Sequence, residues 1–230
     1  MMSETRQQWD RYWKGIPGAE FDFLTEEIFF RMRRAVSFAG KSILELGCGS
    51  GRLSYLALKA GAGSVTLVDS SREALDIARQ LFRGAENVTV IESDFRELEP
   101  ARGYDVVFSS GVVEHFRDGE ILEVVKLHRR HSRQTVLTVV PAGPHYNNLR
   151  MKKPEAIRDY GWQRPLTGRQ MRSLFTRAGI RVETNRKFYP FYAVPRLHGS
   201  RVLNRMLWPL GRLAGGLLLT AGTVAAIPRQ

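Results

Sequence analysis

The sequence predicts an α/β protein: a doubly wound, mostly parallel sheet with helices on both faces. Three observations lead there. Short β-branched or apolar runs alternate with stretches whose apolar residues recur at helical spacing. A glycine-rich turn separates the first such run from the first helix, and acids close several of the others. At 230 residues the chain can bury one large core with small additions. No internal repeat interrupts the alternation.

The first run, Ile-Leu-Glu-Leu from Ile43, leads into Gly47-Cys48-Gly49-Ser50-Gly51, and an apolar helical pattern covers Leu53–Ala60. Alternate glycines permit backbone conformations that a Cβ forbids and let a ligand lie on the chain. The following helix N-terminus favours an anionic ligand group. A dinucleotide fingerprint would need glycine where Arg52 stands, and no Gly-Lys-Ser/Thr makes a phosphate loop. Glu45 stands two residues before the first glycine.

The second strand is expected at Ser64–Asp69, ending in an acid 18 residues beyond Gly51. A carboxylate there can accept hydrogen bonds from both ribose hydroxyls, while Ser70 or Ser71 caps the helix Arg72–Phe82. A third strand, Val88–Glu92, runs into Ser93-Asp94-Phe95. The fourth, Tyr104–Ser109, precedes Ser110-Gly111-Val112-Val113-Glu114-His115-Phe116. Helices over Gly119–His131 and Gly168–Ala178 and strands at Thr135–Val140 and Ile180–Arg186 complete the pattern. Every motif falls at the carboxyl end of a strand, where open α/β sheets bind ligands.

Acid-x-Gly-x-Gly-x-Gly, with Asp69, Asp94-Phe95 and the Val-Glu-His of 113–115 in order, resembles the class I S-adenosylmethionine-dependent methyltransferases, in particular the small-molecule, quinone and lipid group. The resemblance covers residues from about 41 to 185. It implies a seven-stranded sheet and S-adenosylmethionine as cofactor. It implies a cofactor site of Glu45, Gly47, Cys48, Gly49, Gly51, Asp69, Ser70, Asp94, Phe95, Ser110 and Gly111, with Asp94 and Phe95 meeting the adenine. The chain lacks the Asn/Asp-Pro-Pro-Tyr/Phe sequence of enzymes that methylate base or glutamine amino groups.

Methyl transfer from a sulfonium is an in-line displacement, so positioning dominates, and a phenol, carboxyl or hydroxyl acceptor needs a general base. His115 is the first candidate and His145 and Tyr146 follow, because histidine titrates near neutrality. His115 bonding backbone at a helix start is the competing reading. Cys48 reads as a small apolar filler rather than a nucleophile, and as the lone cysteine it implies a reducing, cytoplasmic setting. No Cys, His and acid cluster has metal-ligand spacing, and Met1–Asp10 has no apolar secretory core.

The surplus of +12 lies wholly at the end of the chain: residues 141–230 hold 16 Lys/Arg against Glu155, Asp159 and Glu183. That placement favours an anionic partner. Residues 143–166 interleave His145, Tyr146, Arg150, Lys152, Tyr160 and Trp162, fitting a nucleic acid and a phosphate-bearing or aromatic small molecule alike. From Arg201, the residues Val202, Leu203, Met206, Leu207 and Leu210 lie opposite Arg205, Trp208 and Arg212. This is the pattern of an interfacial membrane helix, and a packed helical hairpin fits it as well. The 15 uncharged residues Leu213–Ile227 are too few for a bilayer span, which needs roughly 20.

The expected organisation is a helical lid over 1–40, a cofactor domain over 41–195 with a substrate-side insertion at 143–166, and a basic, apolar helical tail over 196–230. Trp9, Tyr12 and Trp13, then Phe21, Phe23, Leu24, Ile28, Phe29 and Met32, would form the aromatic-rich lid, and packing on the sheet edge is the alternative. The expected activity is methyl transfer to a small-molecule or lipid-like acceptor, with an anionic membrane surface as a partner. RNA or protein methylation through the basic C-terminal third is the other reading, nucleic acid being the weaker partner. The sequence leaves the oligomeric state open.

Overall fold

A computed structural model describes residues 2–16, 18, 20–99, 103–142, 153–188 and 216–225. Two helices, α1 (Met2–Lys14) and α2 (Phe23–Ala35), precede the sheet. Then β1 (Ser42–Leu46), α3 (Arg52–Lys59), β2 (Ser64–Asp69), α4 (Arg72–Leu81), β3 (Val88–Glu92) and β4 (Tyr104–Ser110) alternate. They are followed by α5 (Asp118–His131), β5 (Ser132–Pro141), α6 (Pro154–Tyr160), α7 (Gly168–Arg177), β6 (Ile180–Phe188) and β7 (Leu217–Val224).

The seven strands lie in the order β3-β2-β1-β4-β5-β7-β6. The strands β1 to β5 are mutually parallel, and β7 enters antiparallel between β5 and β6. The winding reverses between β1 and β4, so the carboxyl ends of these two strands flank the crevice where doubly wound sheets hold ligands.

Each face of the sheet buries its own cluster. One joins Ile43, Val65, Leu67 and Phe108 to Met32 of α2, Ala57 of α3 and Leu75 of α4. The other joins Leu44, Leu46, Val107 and Val136 to Val125 of α5 and Met171 and Phe175 of α7. Local chemistry starts the helices where the sequence places them. Asp22 accepts from the Thr25 amide at 2.7 Å, Ser71 accepts from Ala74, and Thr167 with Gln170 makes a capping box on α7. Ser71, not Asp69, thus caps α4.

The expected helical tail over 196–230 needs correction. Residues 196–215 and 226–230 lie outside the described residues, and 217–224 form a strand in the sheet interior. Leu217, Leu219 and Ala221 enter one cluster, Leu218 and Val224 the other. A mostly apolar, uncharged run satisfies a strand covered on both faces as readily as a buried helix, so periodicity could not separate them. Gly222 marks the tightest approach: a Cβ there would stand 2.5 Å from the Arg181 carbonyl oxygen, where the β6–β7 register shifts between Val182 and Thr184.

Candidate functional site

A cavity of about 400 Å³ opens at the carboxyl ends of β1, β2, β3, β4 and β5. Its floor is the glycine turn. Gly47 and Gly49 have φ of 65° and 54°, in the left-handed region open chiefly to glycine. A Cβ on Gly47 would come within 2.6 Å of Val112 Cγ2, and one on Gly49 would collide with Trp13 Cζ2. Both glycines let neighbouring groups touch the backbone directly. Gly51 has another role: it does not line the cavity, and a Cβ there would press on Phe82 and Leu67 in the core.

Asp69 at the end of β2 accepts from the Gly49 amide at 2.7 Å and from the Ser71 amide at 2.9 Å. Burial pushes its carboxyl up despite these bonds. The Glu45 carboxyl, 2% exposed, lies 2.6 Å from Ser54 Oγ, and burial pushes it up to about 8. It reaches the cavity wall as a group held mostly neutral at pH 7. Burial, then Asp69 and Glu45, raise the Cys48 thiol, which leaves it inert as a nucleophile.

Past β3, Asp94 is clasped by Arg96, whose Nε lies 2.9 and 3.1 Å from the two carboxylate oxygens. Burial opposes ionisation of Asp94, but the Arg96 hydrogen bonds and charge outweigh it and hold the carboxyl below its ordinary range. The Arg96 guanidinium also stacks 5.6 Å from the Phe116 ring, and Phe95 meets that ring edge-on. Sequence reasoning missed Arg96; its spacing of two from Asp94 was the available signal.

Val113–His115 form a short 3-10 turn after β4. The neighbouring Ser110 and Gly111 line the cavity beside it. His115 Nδ1 lies 3.0 Å from the Trp162 carbonyl oxygen, and the ring meets Trp9 edge-on at 5.3 Å. An Nδ1–H donating to that carbonyl makes Nε2 the basic nitrogen. His115 thus bonds backbone, at Trp162, and lines the cavity. His145 and Tyr146 lie outside the described residues.

The helix α1 supplies Trp9, Tyr12 and Trp13 to the cavity wall. It is tied at both ends of the opening. Asp10 accepts from Ser71 Oγ at 2.6 Å, Lys14 lies 3.3 Å from Glu73, and Arg6 pairs with Glu92. On the other side Gln8 Nε2 donates to the carbonyls of Ile157 and Arg158, and Tyr12 packs on Tyr160. The remaining lining is mixed: Leu24, Ile28, Val140, Pro141 and Leu217 are apolar, while Thr25, Ser50, Arg52, Ser70, Ser93, Glu114 and Gln163 are polar or charged. Gln163 and Leu217 were not anticipated. Leu217 reaches the site because β7 begins at the carboxyl edge of the sheet, paired with Pro141 and Phe188.

Among the described residues no cluster of three His, Cys, Asp or Glu could hold a metal ion, and no helix is long and apolar enough to cross a membrane.

Residues 43–135 match the model of a methyltransferase domain family. The cypemycin N-terminal methyltransferase of a Streptomyces species is 41% identical over 71 residues, which cover 31% of this chain and 28% of that protein. The ubiquinone biosynthesis O-methyltransferase of Aromatoleum aromaticum is 36% identical over 88 residues, covering 37% of each. The chain thus spans well under half the length of these curated relatives. Magnesium protoporphyrin IX methyltransferase from Synechocystis PCC 6803, crystallised with S-adenosylmethionine, shares the fold with a TM-score of 0.61 at 13% identity, over 97% of this chain and 92% of that one. A putative methyltransferase solved in complex with the Haloferax volcanii Trm112 activator has a TM-score of 0.67 at 16% identity, over 98% and 99%.

Proposed function

We propose that this chain, which carries a class I S-adenosylmethionine-dependent methyltransferase domain over residues 43–135, transfers the methyl group of S-adenosylmethionine to a small-molecule or lipid-like acceptor. One observation carries the reading: the glycine turn, Asp69, Asp94 and His115, far apart in sequence, line one cavity at the switch point of the sheet.

The residues present fit that cofactor. Gly47 and Gly49 put no side chain of their own on the floor, Asp69 offers two acceptor oxygens for vicinal hydroxyls, and Asp94 with the Phe95 backbone suits an adenine edge. Trp13 and Tyr12 close the site as part of a lid formed by α1 and α2. S-adenosylmethionine supplies an electrophilic methyl group on a sulfonium. The chain binds and aligns the partners and excludes water. His115 Nε2 takes the proton of a hydroxyl, phenol or carboxyl acceptor.

Support for an acceptor with an apolar body comes from Leu24, Ile28, Val140, Pro141 and Leu217 in the lining. Association with an anionic membrane surface rests on the basic, apolar sequence 201–212. Calorimetry with S-adenosylmethionine and with its demethylated product tests the cofactor; no heat from either overturns the proposal. An Asp69→Ala variant should bind at least tenfold more weakly.

A further inference from the structure

A second concavity of about 730 Å³ adjoins the first, between α1, the 3-10 turn after β4 and α6. The two share a wall made of Trp9 and His115. Three large apolar side chains stand exposed among the described residues, and two of them, Ile157 and Trp162 (each 39% exposed), line this groove. Exposed apolar groups gathered in one depression mark a contact surface better than scattered ones do.

The charges around them are of one sign. Arg11, Arg117 and Arg158 line the groove and no acid does. The Arg117 guanidinium lies 4.9 Å from the Trp162 ring centroid. Arg158 reaches Asp159 at 3.0 Å, and the nearby Asp118 is paired with Arg164. Among the described residues, Arg11 and Arg117 have no carboxylate partner. An arginine stacked on an indole offers a flat apolar face beside fixed N–H donors, which suits a planar group carrying an anion.

We infer that this groove holds the anionic, aromatic arm of the methyl acceptor, a phosphate or carboxylate on a planar apolar frame, while the reacting end passes His115 into the cofactor cavity. The inference rests on the methyltransferase reading above. The volume falls in the small-molecule range of about 300–1,000 Å³. A nucleic-acid strand would call for cations continued along a track, whereas Arg11, Arg117 and Arg158 converge on one depression.

The test is calorimetric titration of the full chain with 2-naphthyl phosphate, 2-naphthol, inorganic phosphate and a ten-residue oligouridylate. Naphthyl phosphate should bind at least tenfold more tightly than naphthol or phosphate. The double variant Arg11→Gln/Arg117→Gln and the single variant Trp162→Ala should each weaken it at least tenfold, with S-adenosylmethionine affinity changed less than twofold. Naphthyl phosphate binding that ignores these substitutions overturns the groove assignment. So does oligouridylate binding more tightly through the same residues, which makes the face a nucleic-acid surface. If S-adenosylmethionine fails to bind the wild-type chain, the methyltransferase reading and the acceptor role fall together. If it binds and naphthyl phosphate does not, the groove alone is overturned.

Discussion

The Nδ1 of His115 stands 3.0 Å from the carbonyl oxygen of Trp162, 47 residues away in sequence, and this contact selects the imidazole tautomer. With the proton on Nδ1, the lone pair sits on Nε2, 3.5 Å from the Gln163 amide nitrogen, on a ring that lines the cavity at the switch point. Replacing His115 by alanine is expected to lower turnover about 10²-fold or more, with cofactor affinity within a few-fold of wild type. Steady-state rates on an identified acceptor, paired with cofactor calorimetry, check this. Unchanged turnover removes His115 as the base.

Trp13 rests on Gly49, so α1 and the glycine turn are mechanically joined. Gly49→Ala puts a methyl group into the indole and a side chain at φ 54°. The expected loss is about 1–3 kcal/mol, of which roughly 1–2 is left-handed backbone strain. In Trp13→Ala/Gly49→Ala only the strain remains, so the double-mutant cycle should show a coupling of opposite sign to the single losses. Additive losses in thermal unfolding would show that the helix does not rest on the turn.

His128 on α5 donates from Nδ1 to the Val124 carbonyl at 2.8 Å, and Nε2 lies 2.9 Å from Ser109 Oγ. Complete burial lowers its pKa to about 4 from 6.5. The unfolded chain therefore binds the proton first. The stabilisation from keeping this ring neutral is intact above pH 6.5 and is lost as the pH falls to 4, roughly 3 kcal/mol in all. Denaturant unfolding of His128→Gln beside wild type should show the difference in stability shrinking over that window. A difference independent of pH contradicts it.

Glu45 behaves in the opposite sense. Its folded pKa of about 8 lies above the ordinary 4.5, so the stability tied to its protonated form is present below pH 4.5 and lost as the pH rises through 8. Glu45→Gln, which keeps an acceptor for Ser54, should gain stability over wild type between pH 5 and 8, by a few kcal/mol at most. An equal melting temperature shift at pH 5 and pH 8 would refute this.

Truncation after residue 216 removes β7 and unpairs both β5 and β6. The shortened chain is expected to lose cooperative unfolding, because Leu217, Leu218 and Leu219 are each at most 3% exposed. A membrane role for residues 201–212 must therefore be tested by substitution, such as Leu203→Glu/Leu207→Glu in liposome sedimentation. Sedimentation unaltered by that change ends the membrane reading.

Much of the framework is legible in the residues alone. The strands at 64–69 and 88–92 and the caps Ser71 and Thr167 answer to local rules: β-branched runs, acids at strand ends, hydroxyls before helices. The glycine turn, Asp69, Asp94 and His115 are legible for the same reason, since each belongs to a short motif at a strand end. The role of Gly51 was not, because only packing shows that its neighbours are Phe82 and Leu67.

The chain's own pattern determined the alternating α/β order, the glycine turn and the acids beside it, all set by interactions within a few residues. Its tertiary structure settled how the distant pieces meet. Residues 217–224 became a buried strand because β5 and β6 left one open place between them, and apolar residues on both faces could fill it. His115 acquired its tautomer from Trp162, and Trp9 and His115 became the wall between the cavity at the switch point and a basic, aromatic groove. Those contacts span 47 to 106 residues of sequence, and no local preference encodes a pairing at that range.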